Sequence, residues 1–371
     1  MAERTARRTF RGMQWLKPVA EADLRAMTAG RAGETRLGEA MRASDSEGHL
    51  PPGTHVAILG IPEDVGVRAN LGRPGARRMW REALKALVHM QCNPSIDASR
   101  IAVAGAVDVR DIQRQGKEAS RALAAARQEA QGGGRRALRA AESAAALLKR
   151  LRELCAEIDT RVEAVIAHIR DSGAVPVVIG GGHNNALGIL AGCAKSAGRA
   201  MNCVNVDLHG DLRAMEGRHS GNPFSYAVHG GMLERYAVIG LQECTATAAV
   251  MEALRDPRMR AFTFDALIRG EIDLAGSIDG AVTHVGGGPA TLEIDLDSVS
   301  GAPASATAAS GLSPRELRMC AARISREIDV HAAHVAEGAP GLGPWPDAML
   351  AKLVAELVCD IAKGICARRS S

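Results

Sequence analysis

Short apolar runs recur along this chain, separated by longer stretches in which apolar positions return every three or four residues. VAILG (56–60), IAVAGAVDV (101–109), AVPVVIG (174–180), NCVNVD (202–207), YAVIG (236–240), AFTF (261–264), TLEIDL (291–296) and HAAHVA (331–336) read as buried strands, because their apolar character is mostly continuous rather than alternating. Helical patterns fill intervals at 76–91, 184–197, 246–255, 313–327 and 347–364. The fourth of these is opened by Ser313-Pro314, a cap followed by proline at the first helical position. Strands alternating with helices in this way predict an α/β fold, a three-layer α/β/α domain with a mostly parallel sheet of about eight strands. In such sheets ligands bind beyond the carboxyl ends of the strands.

Two segments depart from the alternation. Residues 1–50 are mixed and polar and read as a helical or loose N-terminal extension, leaving 51–371 as a single domain. From Asp111 to about Ser172 the chain is Ala- and Arg-rich and helical, broken only at Gln131-Gly132-Gly133-Gly134. Glycines there end one long helix and allow a turn into the next, and the part at about 111–150 reads as an exposed helical insertion. No internal repeat is evident.

Composition narrows the class. Apolar residues make up 46% of the 371 residues but aromatics only 2%, so the core must be built from Ala, Val, Leu and Ile, with helices packing closely. A net charge of +4, without a basic stripe interleaved with aromatics, argues against a nucleic-acid partner. The eight cysteines are widely separated and form no CxxC, the usage of reduced thiols in a cytoplasmic protein. The sequence holds no apolar run long enough to span a membrane and no apolar signal core near its start, so a cytoplasmic location and no membrane partner are expected.

The candidate chemistry gathers at strand ends. GGGHNN (180–185), DLHGD (207–211), EIDLD (293–297) and EGAPG (337–341) each follow a buried run. If the chain stays extended, a side-chain period of two points Asp207, His209 and Asp211 one way, and likewise Asp295 and Asp297. With His183 these make two imidazoles and four carboxylates and no thiolate, a donor set for hard or borderline divalent ions. So many carboxylates suit two ions that share bridging carboxylates, and the cations offset the repulsion between the acids. Any one of these residues alone would read as a cap or a turn. Their joint placement argues for ligation.

Two ions close together would hold a bridging hydroxide at neutral pH, a nucleophile for a trigonal carbon. Asp211 is assigned to accept its hydrogen bond and to carry its proton to a leaving amine. Glu337 has no partner at metal-ligand spacing and is assigned to grip a cationic amidinium or guanidinium by paired hydrogen bonds. GGGHNN lacks the Lys-Ser/Thr of a phosphate-binding loop.

GGGHNNALG, NVDLHGDLR, EGRHSGNPFSYA, GLQE, EIDLDS and EGAPG, in this order over about residues 55–365, resemble the ureohydrolase superfamily of arginases, agmatinases and formimidoylglutamases. The resemblance implies an arginase-like fold and two Mn²⁺ per subunit held by His183, Asp207, His209, Asp211, Asp295 and Asp297, with Glu337 on the amidine or guanidine of the substrate. It also implies a homo-oligomer, trimer or hexamer. Nickel is the alternative ion, since the same N/O donors bind it more tightly. GIPEDVGVRANLGRPGA, EGRHSGNPFSYA and HVAEGA look most like the formimidoylglutamase branch, whose reaction splits N-formimidoyl-L-glutamate into L-glutamate and formamide. On that reading Arg213, Arg218, Ser220 and Asn222 are assigned to the glutamate portion, with Arg68 and Arg73 as further cations.

The rivals are a guanidino hydrolase releasing urea from agmatine, arginine, guanidinobutyrate or guanidine, and a non-catalytic metal-binding or regulatory homologue. Two stretches depart from the family pattern. SVSGAPASATAASGLS stands where a DP and a PGTGTP-like stretch usually follow the second aspartate pair, and PFSYAV lacks the histidine often found after Ser-Gly-Asn. His219, just upstream, is the substitute proton carrier considered.

Overall fold

The computed structural model describes residues 13–370. Its strands are β1 (Leu16–Lys17), β2 (Arg42–Ala43), β3 (Val56–Gly60), β4 (Ile101–Val107), β5 (Val175–Ile179), β6 (Met201–Val206), β7 (Leu233–Leu241), β8 (Met259–Thr263), β9 (Pro289–Asp295) and β10 (Asp329–Ala336). They form one sheet in the order β1-β4-β3-β5-β10-β9-β6-β7-β8, with β2 also paired to β4. Only β1 runs antiparallel to its neighbour; the other pairings are parallel. The eight strands expected from the apolar runs are all present. The two added strands come from the first fifty residues and are two residues long, too short to carry a readable period.

Helices cover both faces, as a parallel sheet requires. On one face pack Met79–Val88, Leu274–Val285, Pro314–Glu327 and Asp347–Ser370; on the other lie Gly134–Asp171, Asn185–Ala197 and Arg110–Ala130. Within β3 the two cores alternate, Val56 and Ile58 entering the first, Ala57 and Leu59 the second. The Leu274–Val285 helix was not expected from the sequence, although Leu274, Ile278, Ala281 and Val285 are its buried apolar residues at helical spacing. Asp273 starts it by accepting from the Gly276 N–H at 2.7 Å, an N-cap.

Small residues do bring helices close. A Cβ added at Gly188 would stand 2.8 Å from the Asp159 carbonyl oxygen on the Gly134–Asp171 helix. That helix buries Leu151, Leu154, Ile158, Val162 and Ile166 against the sheet, while its first turns are mostly exposed. No helix of the described residues is long and apolar enough to cross a membrane.

The order of strands positions the site. β5 and β6 follow each other in sequence but are held apart by β10 and β9. The four strands that end in GGGHNN, DLHGD, EIDLD and EGAPG are therefore contiguous, and their carboxyl ends border one crevice.

Candidate metal centre

Each polar cluster reaches the crevice by leaving the extended conformation. β5 runs into Gly180 and Gly181, both at positive φ, and a Cβ at Gly181 would lie 2.3 Å from Asn185 Nδ2. The next turn presents His183. Glu63, fully buried, braces that turn by accepting from the Gly182 N–H at 2.9 Å and from Asn185 Nδ2 at 2.7 Å.

β6 ends at Val206, so Asp207, His209 and Asp211 lie on a loop rather than on a strand edge. The alternation expected from the sequence therefore does not hold past Val206. Bends converge them, with Asp211 in the left-handed region at φ 47°, which Asp tolerates better than most side chains. Asp297 lies in a short 3-10 turn whose start Asp295 caps by accepting from the Asp297 N–H at 2.8 Å. Glu337 follows β10 at φ 62°. Backbone strain of this kind concentrates at functional sites.

All six residues come together, in two overlapping sets. His183, Asp207, Asp211 and Asp295 form one, and Asp207, His209 and Asp297 the other, each with its potential ligand atoms within 4.8 Å of one another. His183 Nδ1 is 3.2 Å from Asp207 Oδ2, 3.0 Å from Asp211 Oδ2 and 3.1 Å from Asp295 Oδ2. None of these three is placed for a directional hydrogen bond, and both ring nitrogens of His183, like Asp297 Oδ1, are buried without a hydrogen-bond partner. His209 Nδ1 is 3.1 Å from Asp297 Oδ2 and 3.7 Å from Asp207 Oδ1. Orphaned donor atoms converging from acids and imidazoles fit divalent cations rather than one another. This is a binuclear metal site, with Asp207 common to both halves.

The electrostatics say the same. Burial, then Asp297 and Asp207, hold the Asp295 carboxyl well above its usual range; burial raises Asp297 to about 6 against the pull of His209. Burial and Asp207 raise Asp211. Burial works against charge on His209, yet Asp297 and its neighbours raise it to about 11; Asp207 is lowered despite burial because His183 and His209 face it. Without cations the raised groups, Asp295, Asp297, Asp211 and His209, retain protons in the fold that they release when unfolded. Groups raised in the folded state lose their stabilising contribution as pH rises through the folded value. For Asp297 that window runs from about 4 to 6 and for His209 from about 6.5 to 11. The chelated protein should therefore melt at lower temperature at pH 8 than at pH 6, and the increment in melting temperature given by added Mn²⁺ should widen over the same interval, because ligands must shed protons to bind. Thermal melts at the two pH values, with and without the ion, check this.

Beside the centre opens a cavity of about 270 Å³ lined by His209, Asp211, Asp295, Asp297, Glu337, Ser305, Arg213, Asn70 and Ser220 among others. Glu337 is fixed at both oxygens, Oε1 accepting from the His183 N–H at 2.7 Å and Oε2 from the Ser305 hydroxyl. Burial and Asp295 push its carboxyl up to about 8. The stretch that departs from the family pattern supplies Ser305. Arg73 ties that loop down through the carbonyls of Ala304 and Ser305 and the Thr307 hydroxyl.

The expected substrate residues divide. Arg213 and Ser220 line the cavity, with Arg213 Nη1 donating to Asn70 Oδ1 at 2.7 Å and Asn70 Nδ2 to Ser220 Oγ at 3.2 Å. Arg218 and Asn222 are not among its lining residues. Arg218 is buried, paired with Asp159 at 2.8 Å, and donates to Asn222 Oδ1 at 2.5 Å and to the Asn184 carbonyl at 2.9 Å. Asn222 Nδ2 donates to the carbonyls of Ala214 and Gly217. Together they brace the loop. Arg68 pairs with Asp64 at 2.8 Å, and Arg73 holds the loop just described, so neither points a free charge at the cavity. His219 is buried, accepts from the Gly221 N–H at its Nδ1, and is lowered to about 4 by burial despite Glu216. Such a ring stays neutral and braced near pH 7, which does not suit a proton carrier.

Arg218→Ala should leave Asp159 buried and unpaired, costing about 3–5 kcal/mol. Urea unfolding should show the lower stability while the six candidate ligands remain in place.

Sequence reading missed Glu63, Asn70, Glu293, Ser305, His334 and Phe224. The ring of Phe224, in PFSYAV, packs edge-on against His183 at 5.5 Å between centroids. The available signal was an acid or a histidine inside an otherwise apolar strand, as in TLEID and HAAHVA, where burial needs a partner.

The fold and the paired cation sites define a class: the chain belongs to the arginase family, which matches residues 54–362. It is similar to the formimidoylglutamase of Aromatoleum aromaticum, 29% identical over 341 residues that cover 86% of this chain and 85% of that protein. Among solved structures it resembles Trypanosoma cruzi formiminoglutamase with Mn²⁺, with a TM-score of 0.67 and 19% identity over 90% of this chain and 99% of that one. It also resembles the formimidoylglutamase of Bacillus subtilis, with a TM-score of 0.69 and 15% identity over 91% of this chain and 94% of that one. At these identities the solved structures bear on the fold.

Proposed function

We propose that this protein hydrolyses N-formimidoyl-L-glutamate to L-glutamate and formamide, with two Mn²⁺ held by His183, Asp207, His209, Asp211, Asp295 and Asp297. The observation that carries the proposal is a cavity lined at once by residues of the cation cluster, by Glu337 and by Arg213. A substrate with an amidine at one end and carboxylates at the other matches both charges. The similarity to formimidoylglutamases over 85% of a relative's length supports the same reading.

Bound there, the two ions supply Lewis-acid polarisation and lower the pKa of water. The chain does the rest. Glu337, already oriented by the His183 N–H and the Ser305 hydroxyl, takes the amidine by paired hydrogen bonds, ionised once the cationic group arrives. Asp211 holds the proton lost by the attacking water and delivers it to the departing nitrogen. Arg213, steadied by Asn70, and the Ser220 hydroxyl receive the substrate carboxylates.

A simple guanidine or agmatine offers Arg213 no anion. Replacing Arg213 by alanine should raise KM about tenfold with little change in kcat, since a half-exposed charge contributes modestly. Steady-state kinetics check that split. Product analysis on the metal-loaded protein tests the function itself. Formamide from formimidoylglutamate is expected; urea from a guanidino substrate instead would move the chemistry to a different substrate, and neither product would favour a non-catalytic homologue.

A further inference from the structure

Behind the centre lies a buried pair that the chemistry above does not use. Glu293 on β9 and His334 on β10 are register partners on adjacent parallel strands, and neither reaches solvent. His334 Nδ1 is 2.8 Å from Glu293 Oε2, and its Nε2 is 3.1 Å from the Gly180 carbonyl oxygen. Both neighbours are acceptors, so the ring is held between them at its two nitrogens. The same Glu293 Oε2 lies 3.5 Å from His183 Nε2. That nitrogen is buried without a hydrogen-bond partner, as is Glu293 Oε1. On the opposite edge of the imidazole, Nδ1 faces Asp207, Asp211 and Asp295.

We propose that Glu293 and His334 act as a positioning pair for His183. Glu293 receives the Nε2–H, which fixes the tautomer and leaves the Nδ1 lone pair for the first cluster. A carboxylate in this place raises the basicity of a ligating imidazole. His334 holds Glu293 from behind, its Nδ1 2.8 Å from Glu293 Oε2, which fixes where that acceptor stands. The rings of His183 and His334 lie 6.1 Å apart between centroids, close enough for the pair to limit rotation of the His183 ring. This inference rests on the metal site but not on the identity of the substrate.

The test is Mn²⁺ binding without substrate, by equilibrium dialysis and by electron paramagnetic resonance, which detects exchange coupling between neighbouring ions. The variant is Glu293→Met combined with His334→Leu, because replacing both partners of a buried polar pair by apolar groups of similar shape is often nearly neutral for stability. It should melt close to the parent in chelator. Binding of one of the two ions should weaken about 10–100-fold, and the coupled signal should be absent at concentrations that saturate the parent. Unchanged affinity with an intact coupled signal would mean that the pair only fills space, and would overturn the proposal. If the double variant does not fold, Glu293→Gln keeps the volume and an acceptor oxygen while removing the charge. It should bind Mn²⁺ more weakly than the parent, and equal affinity would also overturn the proposal. A parent that binds no Mn²⁺ overturns both the pair's role and the metal site, whereas a parent that binds two ions but turns over another amidine leaves the pair's role standing.

Discussion

Substituting Asp211 by asparagine should reduce turnover by about 10²–10⁴, the usual worth of a positioned proton carrier, while leaving the protein folded. Asparagine has nearly the same shape and accepts the left-handed backbone at φ 47° that this position requires. What it loses is charge and the capacity to take a proton. His183, Asp207 and Asp295 remain in the first cluster, and the second cluster of Asp207, His209 and Asp297 is untouched, so part of the metal should be retained. The discriminating experiment measures metal content and kcat on the same sample. A full complement of ions with unchanged kcat would remove Asp211 from proton transfer.

Glu337→Gln should separate the two observables cleanly. Glu337 belongs to neither cluster, and an amide oxygen can still accept from the His183 N–H that Oε1 now receives at 2.7 Å. Metal content should therefore match the parent. The substrate cation, however, loses a charged partner and one of two paired hydrogen bonds, together about 3–4 kcal/mol or a few hundredfold in kcat/KM. Because burial and Asp295 hold this carboxyl up at about 8, arrival of the cationic substrate group is what favours its ionised form at neutral pH. Loss of metal from the variant, with kcat/KM per bound ion unchanged, would show that Glu337 supports the ions rather than the substrate.

Much of this was legible in the sequence. Eight buried strands announced themselves by continuous apolar runs, and the six ligand candidates by falling just after four of those runs. The strand order was not legible. Nothing local says that β10 and β9 insert between β5 and β6, although that insertion makes the four strand ends contiguous. The geometry of DLHGD was misread because alternation was assumed to continue past Val206, where the chain bends.

Long-range partners decided the arginines. Arg218 resembles a free substrate cation in EGRHSGN, but Asp159, 59 residues earlier, claims it. Arg213 looks no different in sequence, yet it stays on the cavity wall, hydrogen-bonded to the neutral Asn70 and only 4.0 Å from Glu216 Oε1. Ser305 was hidden in a stretch that looked only like a departure from the family pattern. Its contact with Glu337 exists because Arg73 closes the loop from 231 or more residues away.

The most direct measurement is the rate of formamide release from formimidoylglutamate as chelated protein is titrated with Mn²⁺. A centre in which Asp207 joins both halves should give a rate that climbs to a plateau at about two ions per chain, because each half supplies part of the electrostatic stabilisation. A plateau at one ion, or a rate indifferent to the chelator, would contradict the binuclear centre on which the mechanism stands.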